Sequence, residues 1–413
     1  MNKKLFKQIK NEWKPNLWLF IELFLVSVVM WYIVDYMYVK MTVYNEPKGF
    51  DISNCYLVEL GQLTDKSDLY NPKDTNPSIH INELCDRLEH NPAIEAVGLG
   101  NNSYPYNGSN SSTFFKYDTI YAEGWILNRV ITPGFIKVFR YTGINGETPE
   151  QLASKFEGNN LLVTNNIFKD KIKGGAKNIV GKKVIYGGDT VNTHYLAGAL
   201  VPIKYSDFIE VSLTPSILKA LAPKDRWMGL ELCVRVRPEY DKDFANTLLK
   251  ESQKRYNIGN MYISNVKSFD DIRANHISKD WNHFKLFIWG MGFLLLNIFL
   301  GLLGTFWFRT QQRRGEIALM KSFGGTNKSV YMRLLSEGII ILLLATIPAI
   351  IVDYNLAHAD ITENYNGETF EIVRFSFSLI SSCILIALMM IIGISIPARK
   401  AMKIDPAVAL HEE

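Results

Sequence analysis

Residues 309–333 read RTQQRRGEIALMKSFGGTNKSVYMR, a short basic segment between two long apolar runs. The segment holds six cationic side chains and one acid: Arg309, Arg313, Arg314, Lys321, Lys328, Arg333 and Glu316. The apolar runs predict membrane spans, and loops rich in Lys and Arg stay on the cytoplasmic side of a membrane. We therefore predict a cytoplasmic loop that joins two spans.

Within this loop, residues 316–323 predict a short amphipathic helix. Its apolar residues recur at spacings of three and four, which is the helical period: Ile317, Leu319, Met320 and Phe323. Gly324 and Gly325 follow, where a helix would end. The sequence offers no evident core for this helix within the chain, so we expect it to need a partner.

Four apolar runs predict the architecture: residues 17–39, 284–308, 334–352 and 375–396. Each is long enough to cross a hydrocarbon core of about 30 Å. Lys and Arg cluster at residues 1–16, 309–333 and 397–413, whereas the loop at 353–374 is acidic. We predict a membrane α-helical protein with four spans and both ends in the cytoplasm. Residues 1–16 predict a basic interfacial helix.

Residues 40–283 predict a large extracytoplasmic α+β domain between the first and second spans. Strand, helix and strand patterns follow one another near its start, at 52–60, 79–90 and 94–99, and near its end, at 230–236, 241–256 and 261–266. This repeated order suggests one subdomain built from both ends of the region. Residues 159–206, with glycine-rich turns between short apolar runs, predict an inserted β subdomain.

Small and polar residues form a stripe along the second span: Asn297, Gly301, Gly304 and Thr305. Such a stripe lets two helices approach closely in lipid, although glycine is also common in membrane helices. In the first span, placing the charged carboxylate of Glu22 in lipid costs free energy. We expect this side chain to snorkel to the interface, take a proton or face another helix.

No pattern predicts a catalytic, cofactor-binding or metal-binding residue. Residues 173–183 fail as an ATP-binding loop, because Ala176 replaces its first glycine and Lys183 its hydroxyl residue. The four cysteines lack metal-ligand spacing, and both a Cys55–Cys85 disulfide and free thiols fit the sequence. The net charge of +4 gives no argument for nucleic acid.

Two stretches carry a family likeness. Residues 311–337 resemble the pattern RRREIGILRALGATRRQI…E, and residues 397–410 resemble PARRAARLDPVEAL. The matching positions in the first stretch are Arg313, Arg314, Glu316, Ile317, Leu319, Lys321, Gly324 and Glu337. Together with the order of one span, a large domain and three spans, they make the chain resemble permease subunits of MacB/FtsX-type (type VII) ABC transporters. The first span lacks the glycine-rich pattern common in that family, and the loop at 353–374 is long.

The resemblance implies a permease of a bacterial inner membrane that pairs with a second copy or a paralogue. A separate cytoplasmic ABC ATPase would bind ATP and Mg²⁺, so the chain itself would not be an enzyme. The implied coupling residues are Arg313, Arg314, Glu316, Ile317, Leu319, Met320, Lys321, Phe323 and Gly324. The apolar ones would be buried in an ATPase groove, and the cations would set orientation or bind lipid. For Arg309 and Lys328 we expect a topology signal only.

The resemblance leaves two functions open. The permease would transmit ATP-driven motion to its periplasmic domain for export or extraction of a peptide, antibiotic or lipoprotein. A periplasmic adaptor and an outer-membrane channel would be further partners in efflux. The alternative is a non-transporting FtsX-like regulator of a periplasmic partner such as a cell-wall hydrolase. Regulators of that kind usually have smaller outer domains, so the size of residues 40–283 favours transport.

Overall fold

The computed structural model describes residues 13–74, 76–109, 111–359 and 361–405. Most of the predicted interfacial helix at 1–16 and the end of the tail, 406–413, lie outside the described residues. The chain divides into two compact units. Val43–Asp280 form the first, here called the sheet unit, and the described residues before and after it form the helical unit.

The described residues form ten α-helices and twelve strands. In chain order the helices are α1 (Trp13–Asn45), α2 (Pro77–Glu89), α3 (Pro133–Val138), α4 (Pro149–Lys155), α5 (Phe244–Arg255), α6 (Phe269–His276), α7 (Ser278–Gln312), α8 (Arg314–Ser322), α9 (Asn327–His358) and α10 (Ile372–Met402). The strands are β1 (Cys55–Gln62), β2 (Ile94–Asn101), β3 (Ser111–Ser112), β4 (Phe115–Tyr117), β5 (Ile120–Tyr121), β6 (Leu127–Ile131), β7 (Asn160–Thr164), β8 (Lys183–Tyr186), β9 (Asp189–Leu200), β10 (Ser216–Ala220), β11 (Glu231–Val236) and β12 (Met261–Ser268).

Four helices of the described chain, α1, α7, α9 and α10, are long and apolar enough to cross a membrane. They contain the four predicted spans but extend beyond them, because helical hydrogen bonds do not require apolar side chains. The difference is largest for α9, which runs from Asn327 to His358 where 334–352 was predicted. The acidic loop is therefore shorter than expected, and Asp353 lies within a helix. The orientation of the helices stays a prediction.

The helical unit has a continuous apolar core to which α1, α7, α9 and α10 all contribute. Its fully buried members include Leu23, Leu302, Ala345 and Met390, one from each helix. One close contact is at Gly338 of α9, where an added Cβ atom would lie 2.5 Å from a side-chain atom of α10. This packing leaves the outer surfaces of the four helices apolar, as expected for helices in lipid.

The sheet unit contains one mixed sheet, whose strand order in the described residues is β12-β1-β11-β2-β6-β10-β7-β9-β8-β4-β5, with β3 beside β6. Four antiparallel strands at one end, β12, β1, β11 and β2, come from the two ends of the unit. The predicted strand–helix–strand units are thus present, with bounds shifted by a few residues. Helices α2 and α5 contribute to the core on one face of these strands, and α3 and α6 to the core on the other.

The segment at 159–206 does not form a sheet of its own. Its strand β7 pairs with β10 and β9, so the segment continues the sheet that the flanking residues form.

For the cysteines, the structure agrees with free thiols and differs from the expected disulfide. Cys55 and Cys85 are free, and they are buried in separate apolar clusters. A disulfide between them does not form in this fold.

Candidate coupling site

Helix α8 begins where α7 ends, and its own end is set by two glycines. The amide of Gly324 donates to the carbonyl of Lys321 at 3.0 Å, and that of Gly325 donates to the carbonyl of Met320 at 2.9 Å. This pair of bonds is the Schellman motif, which favours glycine because its residue after the cap has positive φ. Gly324 has φ +88°. The helix stop predicted at these glycines is therefore present.

The next helix starts immediately. The Thr326 hydroxyl accepts a hydrogen bond from the amide of Ser329 at 3.2 Å and caps the N-terminus of α9. The end of one helix and the start of the next thus occupy residues 323–326. Such a short, doubly capped connection fixes the direction of α8 relative to α9.

One face of α8 packs against its own chain. Ile317 and Ala318 are buried in the core of the helical unit, and Met320 packs partly against it. Ile317 and Met320 thus contact their own chain, and their part in binding an ATPase stays a prediction. Sequence reasoning missed this core because its other members, such as Leu334 and Ala398, come from distant parts of the chain.

The opposite face of α8 is open. Phe323 is 83% exposed and Leu319 is 50% exposed, and the side chain of Glu316 is 61% exposed. With Ser322, which is also exposed, these residues form what we call the exposed face of α8. Exposed apolar side chains on a short helix that is itself fixed in place are typical of a surface that binds another protein.

A buried ion-pair cluster lies beside α8. Glu337 of α9 accepts hydrogen bonds from Arg309 at 2.5 Å and from Arg313 at 3.0 Å. Glu337 and Arg309 are both nearly inaccessible to solvent. Arg309 therefore does more than signal topology, and Arg313 is held by its own chain. These charge-assisted hydrogen bonds offset part of the cost of burying Glu337 and Arg309 at low dielectric.

Two further loop cations, Lys321 and Arg333, also have partners within the chain. The Lys321 ammonium donates to the carbonyls of Met402 and Ile404 at 2.9 and 2.7 Å. These carbonyls lie at the C-terminal end of α10, where a cation is stabilised by the helix dipole. Arg333 lies 3.7 Å from Glu316, and both side chains are partly exposed. Lys321 therefore links α8 to the end of α10, and its role toward lipid or a partner stays a prediction.

The stripe predicted on the second span makes one close contact. A Cβ atom on Gly301 would lie 2.6 Å from a carboxylate oxygen of Glu22, so α1 is the helix that packs there. Glu22 accordingly faces another helix, one of the three outcomes expected for it. Around Gly304 nothing lies within 4 Å in the described structure. Asn297 is exposed and Thr305 is half-buried.

The sheet unit contains a charged network that the sequence did not reveal. Asp207 is fully buried and accepts hydrogen bonds from Tyr106 at 2.8 Å and Arg273 at 2.6 Å. Lys48 lies 3.5 Å from the same carboxylate, and burial is the main cause that lowers the pKa of this ammonium. The four residues come from four separate segments, so no local pattern could have grouped them.

A second cation extends this network. Lys204 is buried, donates to the carbonyl of Val43 and to that of Asp207, and lies 3.5 Å from Glu46. Val43 and Glu46 flank the end of α1, and Arg273 lies in α6, directly before α7. The network therefore joins the two chain segments through which the sheet unit continues into α1 and α7.

These features define a class: a membrane protein with four apolar helices and a sheet-rich unit between the first and the second. Residues 288–406, from α7 to the end of the described tail, match the family FtsX-like permease C-terminal. Over these residues the chain resembles the C-terminal domain of FtsX-like permeases, which confirms the FtsX part of the resemblance. The match supports a permease-type role.

A solved structure with some similarity is the extracellular domain of the noncanonical ABC-type transporter YknZ from Gram-positive bacteria. It is 14% identical over 51% of this chain and 100% of that one, with a TM-score of 0.28. That score is too low to establish a common fold. No curated protein matches the sequence.

Proposed function

We propose that the chain is the permease subunit of an ABC transporter. It passes ATP-driven motion from a separate cytoplasmic ATPase to the sheet unit, and this motion drives export or extraction of a peptide, antibiotic or lipoprotein. ATP and Mg²⁺ bind to the ATPase, and the chain performs no catalysis. It acts in a bacterial inner membrane beside a second copy or a paralogue. An adaptor and an outer-membrane channel join the complex if the cargo leaves the cell.

The observation that carries this proposal is the two-sided character of α8. Its exposed face offers Leu319 and Phe323 to a partner, and burying two such side chains contributes about 1.5–3 kcal/mol each before association costs. Its other face is fixed to the helical unit by Ile317 and Lys321. A force applied to the exposed face therefore reaches the membrane helices without being absorbed by a flexible loop.

The charged network of the sheet unit supports the second part of the proposal, in which movement of the membrane helices reaches the sheet unit. Asp207 and Lys204 hold the segment after α1 and the helix before α7 in one buried cluster. Because the breaking of a buried ion pair costs several kcal/mol, these segments resist independent movement. A displacement of either α1 or α7 would then be passed to the sheet unit.

Co-purification with the ATPase tests the proposal. Leu319→Asp and Phe323→Asp should each lower ATPase recovery at least tenfold, because they place a charge in the proposed interface. Gln311→Asp is the matched control, since Gln311 is exposed on α7 outside that face, and it should retain the ATPase. Ile317→Asp is unsuitable because it disrupts the core. Full recovery of the ATPase with both α8 variants would overturn the proposal.

A further inference from the structure

Asp353 is a buried acid for which the fold provides no partner. It lies in α9 and is 1% exposed. Neither of its carboxylate oxygens has a hydrogen-bond partner among the described residues. Buried carboxylates without such partners are rare in proteins, because an isolated charge at low dielectric costs many kcal/mol.

Two other buried acids of the helical unit, Glu337 and Asp35, do have cationic partners. Glu337 is held by two arginines. Asp35 of α1 accepts two hydrogen bonds from Arg374 of α10 and lies 3.5 Å from the Ser378 hydroxyl. The same helical bundle thus neutralises these acids with arginine, whereas no cation among its described residues forms an ion pair with Asp353.

Side chains of α10 and α1 lie near this part of α9. Among them is the thiol of Cys383 on α10. Trp31 of α1 is buried in one cluster with Ala357, one helical turn after Asp353. The Trp31 ring nitrogen and the Ser27 hydroxyl one turn earlier are also buried without a hydrogen-bond partner in the described chain. Arg374, which precedes Phe375 of the same cluster, already binds Asp35.

We propose that Asp353 is a proton-binding site in the membrane-spanning part of the protein. In this packing the side chain of Asp353 is a protonated, neutral carboxylic acid. A proton is the smallest ligand that can remove its negative charge. A bound metal ion is disfavoured, because the described residues contain no group of three potential ligands. Release of the proton would leave a buried charge, so it requires α9 to separate from α1 or α10 and admit water. This inference does not depend on the ATPase.

Infrared spectroscopy of the full chain in lipid vesicles at neutral pH provides the test. A protonated carboxyl group has a C=O stretch well separated from that of a carboxylate. We expect this band in the wild type and its loss in Asp353→Asn, whose amide is neutral and similar in size. Glu22→Gln, at a partly buried acid of α1, should keep the band. ¹³C-labelled aspartate should shift it in the unsubstituted chain, and a band that neither labelling nor Asp353→Asn alters would refute the site.

The pH dependence of stability gives a second measurement. The folded chain would hold a proton that the unfolded chain releases at neutral pH, so the free energy of unfolding should fall as pH rises. Asp353→Asn should lower the number of protons released on unfolding by about one, and so make this slope less steep. Equal slopes for the wild type and the variant would contradict the proposal.

Discussion

At the scale of single residues, Glu337 shows how a charge is retained in an apolar helix. It is the only acid in the run at 334–352, and it is buried where Arg309 and Arg313 reach it from α7 and from the start of α8. Glu337 therefore binds both arginines through one carboxylate. The cluster links α9 to the end of α7 and to the residue that precedes α8.

Substitution of Glu337 measures this dependence. Glu337→Gln leaves two cations with a neutral amide, and breaking a buried pair in this way should lower the free energy of unfolding by about 3–5 kcal/mol. Thermal unfolding in detergent checks the loss. Glu316→Gln removes the same charge from an exposed pair with Arg333 and should change stability by about 0.5 kcal/mol or less. Similar melting temperatures for both variants would show that the cluster is not stabilising.

At the scale of elements, the contact between α1 and α7 depends on the absence of one side chain. Gly301 allows the Glu22 carboxylate to lie against the backbone of α7, where any larger residue would displace it. Gly304, one turn along the same helix, has open space around it. The two glycines therefore have different roles within the chain, although they occur in the same sequence pattern.

A matched pair of alanine substitutions separates these roles. Gly301→Ala should change stability by about 1 kcal/mol or less and be less favourable than the same change at Gly304, because its Cβ atom must displace the flexible Glu22 carboxylate. Gly304→Ala should leave stability unchanged or raise it by up to about 1 kcal/mol, since alanine favours the helix. Chemical unfolding of the two variants provides the comparison. If Gly304→Ala is the more destabilising, the packing of α7 differs from that described.

At the scale of the whole molecule, the proposed function requires that a movement started at α8 reaches the sheet unit. The network around Asp207 is the part of the sheet unit through which such a movement would enter, because it holds the segments next to α1 and α7. It is remote in sequence from α8, so the two sites can be tested independently.

Asp207→Asn tests the transmission step. The variant keeps the shape of the side chain but leaves Arg273 and Lys48 without their counter-charge. The ATPase should still co-purify, whereas the ATP-dependent change in hydrogen exchange within the sheet unit should shrink at least severalfold. Glu251→Gln, at a partly exposed acid of α5, is the control and should behave as the wild type. An undiminished exchange response in Asp207→Asn would show that motion passes by another route.

The sequence by itself determined the features that depend on neighbouring residues. Hydrophobic runs predicted the four apolar helices, spacing predicted α8, and Gly324 with Gly325 marked its end. The strand–helix–strand units of the sheet unit were also predictable, because alternation and helical periodicity are local properties. The FtsX-like resemblance came from contiguous stretches for the same reason.

Only the tertiary structure decided which side chains are buried, which are exposed and which form ion pairs. It buried Ile317 and left Phe323 exposed, although both fit the same amphipathic pattern. It paired Arg309 with Glu337, and it placed Asp353 inside α9 without a partner. The physical reason is that burial and ion pairing depend on groups brought together from distant parts of the chain, which periodicity and spacing do not encode.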